Sequence, residues 1–238
     1  MEDGIGLDEV LLGLPVFRVL NVTETDTEVV IAVESTAVRA FCRSCGVRAE
    51  AQDRMRVGIR DLACFGRPAR LVWTKRRWRC RGARAWAEHS DHVDAQAVLT
   101  RCAGIEACRQ VGENARPVSQ LADELGVCWW TIMNAVIEHG TPLVDDSDRV
   151  GAVRQLGVDE TSFLKATATH PTVYATGLVD LGRHVVIDMV EGNSAADLRR
   201  WTSNADPAWL DGIEVVATDL AESFRAGLSP HLDARRVG

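Results

Sequence analysis

Two thiols in "FCRSCG", Cys42 and Cys45, directly flank an Arg-Ser pair, with a glycine directly behind them. At that spacing both thiolates can point at one tetrahedral Zn²⁺, and the glycine frees the turn. A closed site needs two more ligands. Cys80 lies at a workable distance along the chain, and Cys64, His89 and His92 are candidates for the fourth position. Buried or free thiols are the competing reading. Cys102, Cys108 and Cys128 fall in helical stretches and read as small core residues. The total of seven cysteines is odd and the start "MEDGIGLDEV" is acidic, unlike an export signal. Both points argue against a disulfide framework and for a cytoplasmic protein.

A second chemistry is suggested by two acids. "QLGVDETSF" places Asp159 after the apolar run Leu156–Val158, and "IEVVATDLAESF" places Asp219 after Ile213–Thr218. Each carboxylate is expected at the C-terminal edge of a strand, where sites in open sheets collect. Carboxylates suit Mg²⁺, and a pair of hard cations about 4 Å apart can activate a nucleophile and stabilise a leaving oxygen in phosphodiester cleavage. The plainer reading of Asp219 is an N-cap, with Glu222 three residues on in capping-box spacing.

A third feature is charge. From Arg54 to Arg84 there are eleven Lys/Arg against Asp61 alone, a net +10 in a chain whose total is −7. Such a concentrated basic stretch is a footprint for a polyanion, with a solvated strand face as the alternative. Downstream, "RPVSQLADELGVCWWTIMNAVIEHG" repeats Val118, Leu121, Ala122 and Leu125 at helical spacing. Gly126 then marks a tight turn, and a second helix is expected from about Trp129 to His139. This pattern fits a helix-turn-helix that presents Trp129, Thr131 and Asn134 to a major groove. A plain helical hairpin would look similar.

The elements that must position these residues follow from periodicity. Residues 8–40 alternate apolar and polar around a turn near Thr23–Asp26, a β-hairpin pattern, and the arginines of 54–84 alternate with Val57, Ile59, Leu62, Leu71, Trp73 and Trp78. From Val153 the reading is strand 153–159, strand 172–179, strand 184–190, helix 194–202, strand 213–219 and a helix from Ser223. The fold class is α+β multidomain: a β-rich, zinc-ribbon-like unit over 1–90, a helical region with the helix-turn-helix over 91–143, and part of an α/β layer over 151–238. The acidic loop "VDDSDRVG" separates the last two. No Gly-rich phosphate loop or nucleophile elbow is present, and no apolar run is long enough to span a membrane.

In this order, the CxxC, "RDL…GRPARLVWTKRRWRC", the helix-turn-helix, "LGVDETSF" and "VVATDLAESFRAGL" resemble the ISL-three-type insertion-sequence transposases over nearly the whole chain. The resemblance implies a ribonuclease-H-like DDE catalytic domain that moves DNA by Mg²⁺-dependent cleavage and strand transfer. Asp159 and Asp219 would be its first two acids and Mg²⁺ ligands, and Cys42, Cys45 and Cys80 would be Zn²⁺ ligands. Partners would be DNA at the element's terminal inverted repeats and a second copy or a full-length transposase. Arg70, Lys75, Arg76, Arg77 and Arg79 join Trp129, Thr131 and Asn134 as expected DNA contacts. Two features depart from the family pattern. "CRGARAWAE" has no second cysteine after Cys80, and the third catalytic acid, a distant glutamate, is not found by Gly238; Glu222 and Asp233 lie too close to Asp219 to replace it. The expectation is therefore a C-terminally truncated copy that keeps DNA binding. A DNA-binding regulator, or a competitor of a full-length transposase, is the alternative.

Overall fold

A computed structural model describes residues 16–37, 39–94, 96–219, 222–230 and 232. The start of the expected hairpin region (8–15) and Asp233 lie outside the described residues. The chain divides into two compact units between Leu143 and Val144.

The first unit opens with the antiparallel pair β1 (Phe17–Glu24) and β2 (Val29–Ser35). Thr25 closes the turn: its backbone and hydroxyl both pair with Glu28. β3 (Glu50–Cys64) and β4 (Arg67–Cys80) form a long hairpin around Phe65-Gly66, both at positive φ, the two-residue turn whose twist suits antiparallel strands. β4 also pairs parallel with β2 and antiparallel with the short β5 (Ala83–Ala87), giving the order β1-β2-β4-β3 with β5 beside the end of β4. β4 changes its buried face midway. Ala69, Leu71 and Trp73 are buried in its first half, and Arg76, Trp78 and Cys80 in its second. Leu71 and Trp73 join Phe17, Val29, Ile31, Val33, Ile59 and Val93 in one core, where the Phe17 and Trp73 rings meet edge to face at 5.0 Å.

Three helices follow: α1 (Arg101–Gly112), α2 (Val118–Leu125) and α3 (Trp129–Val144). The Thr100 hydroxyl caps α1 by accepting from Ala103 N, and itself donates to Asp61 Oδ1 at 2.5 Å. So the one acid of the basic segment is buried and ties β3 to α1. α3 runs five residues past the expected end at His139, through Gly140 and Pro142.

In the second unit β6 (Gln155–Leu164), β7 (Val173–Asp180) and β8 (Val185–Glu191) make an antiparallel meander. Next come α4 (Ala195–Asn204), a short α5 (Pro207–Asp211), β9 (Val215–Thr218) and α6 (Glu222–Leu228). Ser194 and Asp197 form a full capping box on α4, and α5 was not signalled by periodicity because it is barely one turn long. β9 returns to lie parallel to β6, giving the order β8-β7-β6-β9. Leu156, Val158, Leu178, Ile187 and Val216 project from one sheet face to pack with Leu198, Phe224 and Leu228 of α4 and α6. Gly227 allows this contact: a Cβ there would stand 2.8 Å from Leu198 Cβ and 3.1 Å from Ala195 O. Elsewhere on this sheet Val186, Met189 and Val215 are about half exposed, as expected of a partly covered layer.

Candidate active site, metal centre and nucleic-acid interface

The parallel ladder between β6 and β9 decides where the two aspartates sit. Its register pairs Leu156 with Val216, Gly157 with Ala217 and Val158 with Thr218. Asp159 and Asp219 are therefore the next residues on two adjacent parallel strands, side by side where the ladder ends. One expectation is corrected. Asp159 is not at the end of its strand, because β6 runs on to Leu164 against β7; it lies at the end of the β6–β9 pairing only. Both aspartates are exposed. Asp159 Oδ1 accepts from Glu160 N at 2.8 Å, which fixes one oxygen and leaves the carboxylate directed to solvent. The residue across from it on β7 is Gly177, so no side chain crowds it from that strand. Two exposed carboxylates on neighbouring strands fit a hard divalent cation by donor type. Among the described residues no third acid joins them within ligating distance. The N-cap reading of Asp219 turns on Leu220 and Ala221, which lie outside the described residues.

The cysteine knuckle closes as its sequence suggests. Gly46 takes φ +69°, its N–H donates to Cys42 O at 2.8 Å, and Cys42 N donates to Val47 O at 2.9 Å. β4 then delivers Cys80, so that the thiols of Cys42, Cys45 and Cys80 all lie within 4.8 Å of one another, with Cys45 Sγ and Cys80 Sγ 3.4 Å apart. A tetrahedral Zn²⁺ with Zn–S bonds of about 2.3 Å would set these sulfurs about 3.8 Å apart, so the trio fits a zinc ion with little movement. The thiol of Cys42 is lowered to about 7 by the backbone N–H groups of Ser44 and Cys45. At Cys45 the Val47 N–H acts downward, but Cys80, Cys42 and burial together push the thiol up. Three thiols in one place thus resist sharing negative charge until a cation compensates it. None of the fourth-ligand candidates joins the group: Cys64 is half-buried elsewhere and His89 faces Asp91 at 3.6 Å. All seven cysteines are unbridged, but only Cys108 of the three expected core thiols is buried; Cys102 and Cys128 are exposed.

The two-helix motif is formed. Gly126, at φ +64°, ends α2 in the left-handed conformation, and Val127 N donates to Ala122 O at 2.9 Å. Leu121, Ala122, Leu125, Ile132 and Ala135 pack on Leu99, Ala103 and Ala107. Trp129 and Asn134 are exposed on α3, while Thr131 is half-buried with its hydroxyl 3.1 Å from Cys128 Sγ. Trp130, next to Trp129 and edge to face with it at 4.8 Å, is the more exposed of the two.

The basic segment is sorted by pairing, which the sequence pattern does not disclose. Arg76, expected to meet DNA, is instead buried. Its guanidinium contacts Glu88 at 3.0 Å, Glu34 at 3.4 Å, and the carbonyls of Ser35 and Ala37. Arg70 is paired with Glu28 at 2.6 Å and Arg77 with Asp53 at 3.1 Å. Lys75 lies over the Trp73 ring at 4.5 Å, and burial lowers its ammonium. Of the five basic residues expected to contact DNA, Arg79 alone is exposed with no acid partner among the described residues.

A three-stranded meander followed by helices and a fourth strand parallel to the first is consistent with the opening of a ribonuclease-H-like layer. Comparison with known families makes this specific. Residues 156–237 match the model of a transposase family, the ISL-three type, so the resemblance carried by "GVDETSF" and "VVATDLAESF" holds over the second unit. No curated protein matches the chain. Among the described residues, no helix is long and apolar enough to cross a membrane.

Proposed function

We propose that this chain is a DNA-recognising transposase protein. In this reading its first unit binds the terminal inverted repeats of a mobile element, and Asp159 and Asp219 are two of the carboxylates that hold catalytic Mg²⁺. The observation that carries it is the β6–β9 register, which sets the two aspartates side by side within the segment matching the transposase family. When bound there, Mg²⁺ would supply Lewis-acid stabilisation to a phosphodiester undergoing cleavage and strand transfer. The chain's own part is to hold two oxygen donors at fixed spacing on rigid strands, open to a large substrate. Because no third acid gathers with them among the described residues, residues 1–238 are expected to bind DNA without completing strand transfer. Zn²⁺ held by Cys42, Cys45 and Cys80 would be structural, joining the knuckle to β4.

Mn²⁺ titration followed by electron paramagnetic resonance tests the carboxylate pair. Binding by the full chain should be lost in both Asp159→Asn and Asp219→Asn, with DNA affinity unchanged. Mn²⁺ binding equal to wild type in both variants would refute the pair as a metal site. Metal-dependent cleavage of element-end DNA by 1–238, abolished by Asp159→Ala, would show instead that the site is complete.

The second reading is a DNA-binding regulator or competitor of a full-length transposase. What favours it is the same lack of a third acid, together with a first unit that is compact by itself. Full-length transposase activity inhibited equally by wild type and Asp159→Asn would support it.

A further inference from the structure

The arginines of the first unit fall into two sets. Arg18, Arg60, Arg67, Arg70, Arg76, Arg77, Arg109 and Arg116 are each paired with an acid. Arg39, Arg43, Arg48, Arg54, Arg56, Arg79, Arg81 and Arg101 are exposed and form no ion pair among the described residues. Four of this second set gather at two adjoining clefts, whereas Arg39 and Arg43 line a separate one. Arg48, Arg79 and Arg81 line one cleft of about 790 Å³ beside Cys45 and Cys80. A second cleft of about 600 Å³ is lined by Arg48 and Arg54, so Arg48 stands between the two. Glu50 is the one acid lining either cleft. Both clefts flank the start of β3, the edge strand of the sheet, with Arg48 just before it bridged to Phe41.

We propose that Arg48, Arg54, Arg79 and Arg81 form a phosphate-binding track for the backbone of double-stranded DNA, wrapped around the β3 edge next to the cysteine cluster. This rests on the DNA-binding reading above and says which residues carry its electrostatic part. Guanidinium groups bind phosphate oxygens as forks, and only those not already neutralised by a carboxylate can release counterions from DNA. α3 brings no lysine or arginine of its own, so a helix placed in a groove would need its backbone contacts from elsewhere. Cys80 lies between Arg79 and Arg81 in the chain. The thiol cluster thus anchors the end of β4, which carries Arg79, and the turn after it, which carries Arg81.

The test is the salt dependence of DNA binding by the full chain, measured by fluorescence anisotropy on a labelled duplex. Each phosphate contact contributes about 0.9 to the slope of log K against log salt. The quadruple variant Arg48→Gln/Arg54→Gln/Arg79→Gln/Arg81→Gln should therefore lose about 3.6 from the slope, and the matching Lys variant should keep most of it. A control removes the same charge from paired arginines: Arg18→Gln/Arg67→Gln/Arg109→Gln/Arg116→Gln should retain the wild-type slope. Glu50→Gln should tighten binding. If wild type binds with a steep slope and both Gln variants change it equally, or neither does, the track is wrong while the DNA reading stands. If wild type shows no salt-sensitive binding to any duplex, the DNA reading itself falls and the track with it.

Discussion

Replacing Arg76 should destabilise rather than merely discharge the first unit. Its side chain is 8% exposed and its two carboxylate partners, Glu34 and Glu88, are 9% and 6% exposed. In Arg76→Met, Glu34 keeps its contact with Arg18, and Glu88 keeps the Arg76 backbone N–H at 2.9 Å and the Ser35 hydroxyl at 3.3 Å. Neither replaces the buried positive charge between them. Two carbonyls, of Ser35 and Ala37, also lose a donor. Removing one member of a buried ion pair costs about 3–5 kcal/mol, because the partner charge stays desolvated. The neighbouring Arg77–Asp53 pair is 44% and 47% exposed, and losing it should cost about 0–1 kcal/mol. The two variants remove the same charge one residue apart. Denaturant-dependent hydrogen exchange, read on peptides spanning β4, measures the cost in this unit alone. This matters because a chain of two units need not unfold in one step. Equal costs for Arg76→Met and Arg77→Ala, or a loss of DNA affinity in Arg76→Met with no loss of stability, would refute the structural role of Arg76.

Other outcomes follow from the same contacts. Glu28 is held below the usual carboxylate range by Arg70 and then Arg60, and Glu34 by Arg18 against the cost of burial. Their contribution should be complete above the unfolded glutamate value of about 4.3 and be lost as pH falls through the lowered folded values, visible as acid unfolding of the first unit. Purified protein should carry one zinc per chain by metal analysis, lost in Cys80→Ser and kept in Cys64→Ser; zinc retained without Cys80 would rule out the trio. Gly227→Ala should destabilise the second unit by about 1–3 kcal/mol, since its Cβ meets Leu198 Cβ and the Ala195 carbonyl. Gly112→Ala, with nothing within 4 Å, should not destabilise the chain, as thermal melting can show.

What the sequence made legible was local. The Cys-x-x-Cys-Gly knuckle and the Gly126 turn each depend on a few adjacent residues, and each forms where its pattern lies. Period-two alternation likewise found β3 and β4, because one face of a strand is wet. It missed the change of buried face midway along β4, since the arginines there alternate just as well on either face. That change is what turns Arg76 from an expected DNA contact into a buried ion-pair partner. Its acids, Glu34 and Glu88, come from other strands and the loop after β5, so no local pattern could assign them. The same holds for Cys102, which lies in α1 as expected but on its exposed face; Cys128 is not helical at all but sits, exposed, in the turn just before α3.

The candidate site shows the same division. Each aspartate could be placed after an apolar run, but whether the two meet depends on which strand β9 chooses and in what register. A parallel partner has no turn to fix it, unlike the Phe65-Gly66 hairpin; the crossover through α4 and α5 and the apolar face of β9 must do so. Val216 is buried with Leu156 and Val158, while Val215 and Ala217 are exposed. A slip of one residue would turn Val215 and Ala217 inward, expel Val216 from the core, and move Asp219 out of step with Asp159. The apolar alternation of "VVAT" and the acid behind it are therefore one constraint. Burial of Val216 sets the register, and the register places Asp159 and Asp219 at matching positions just past the paired residues.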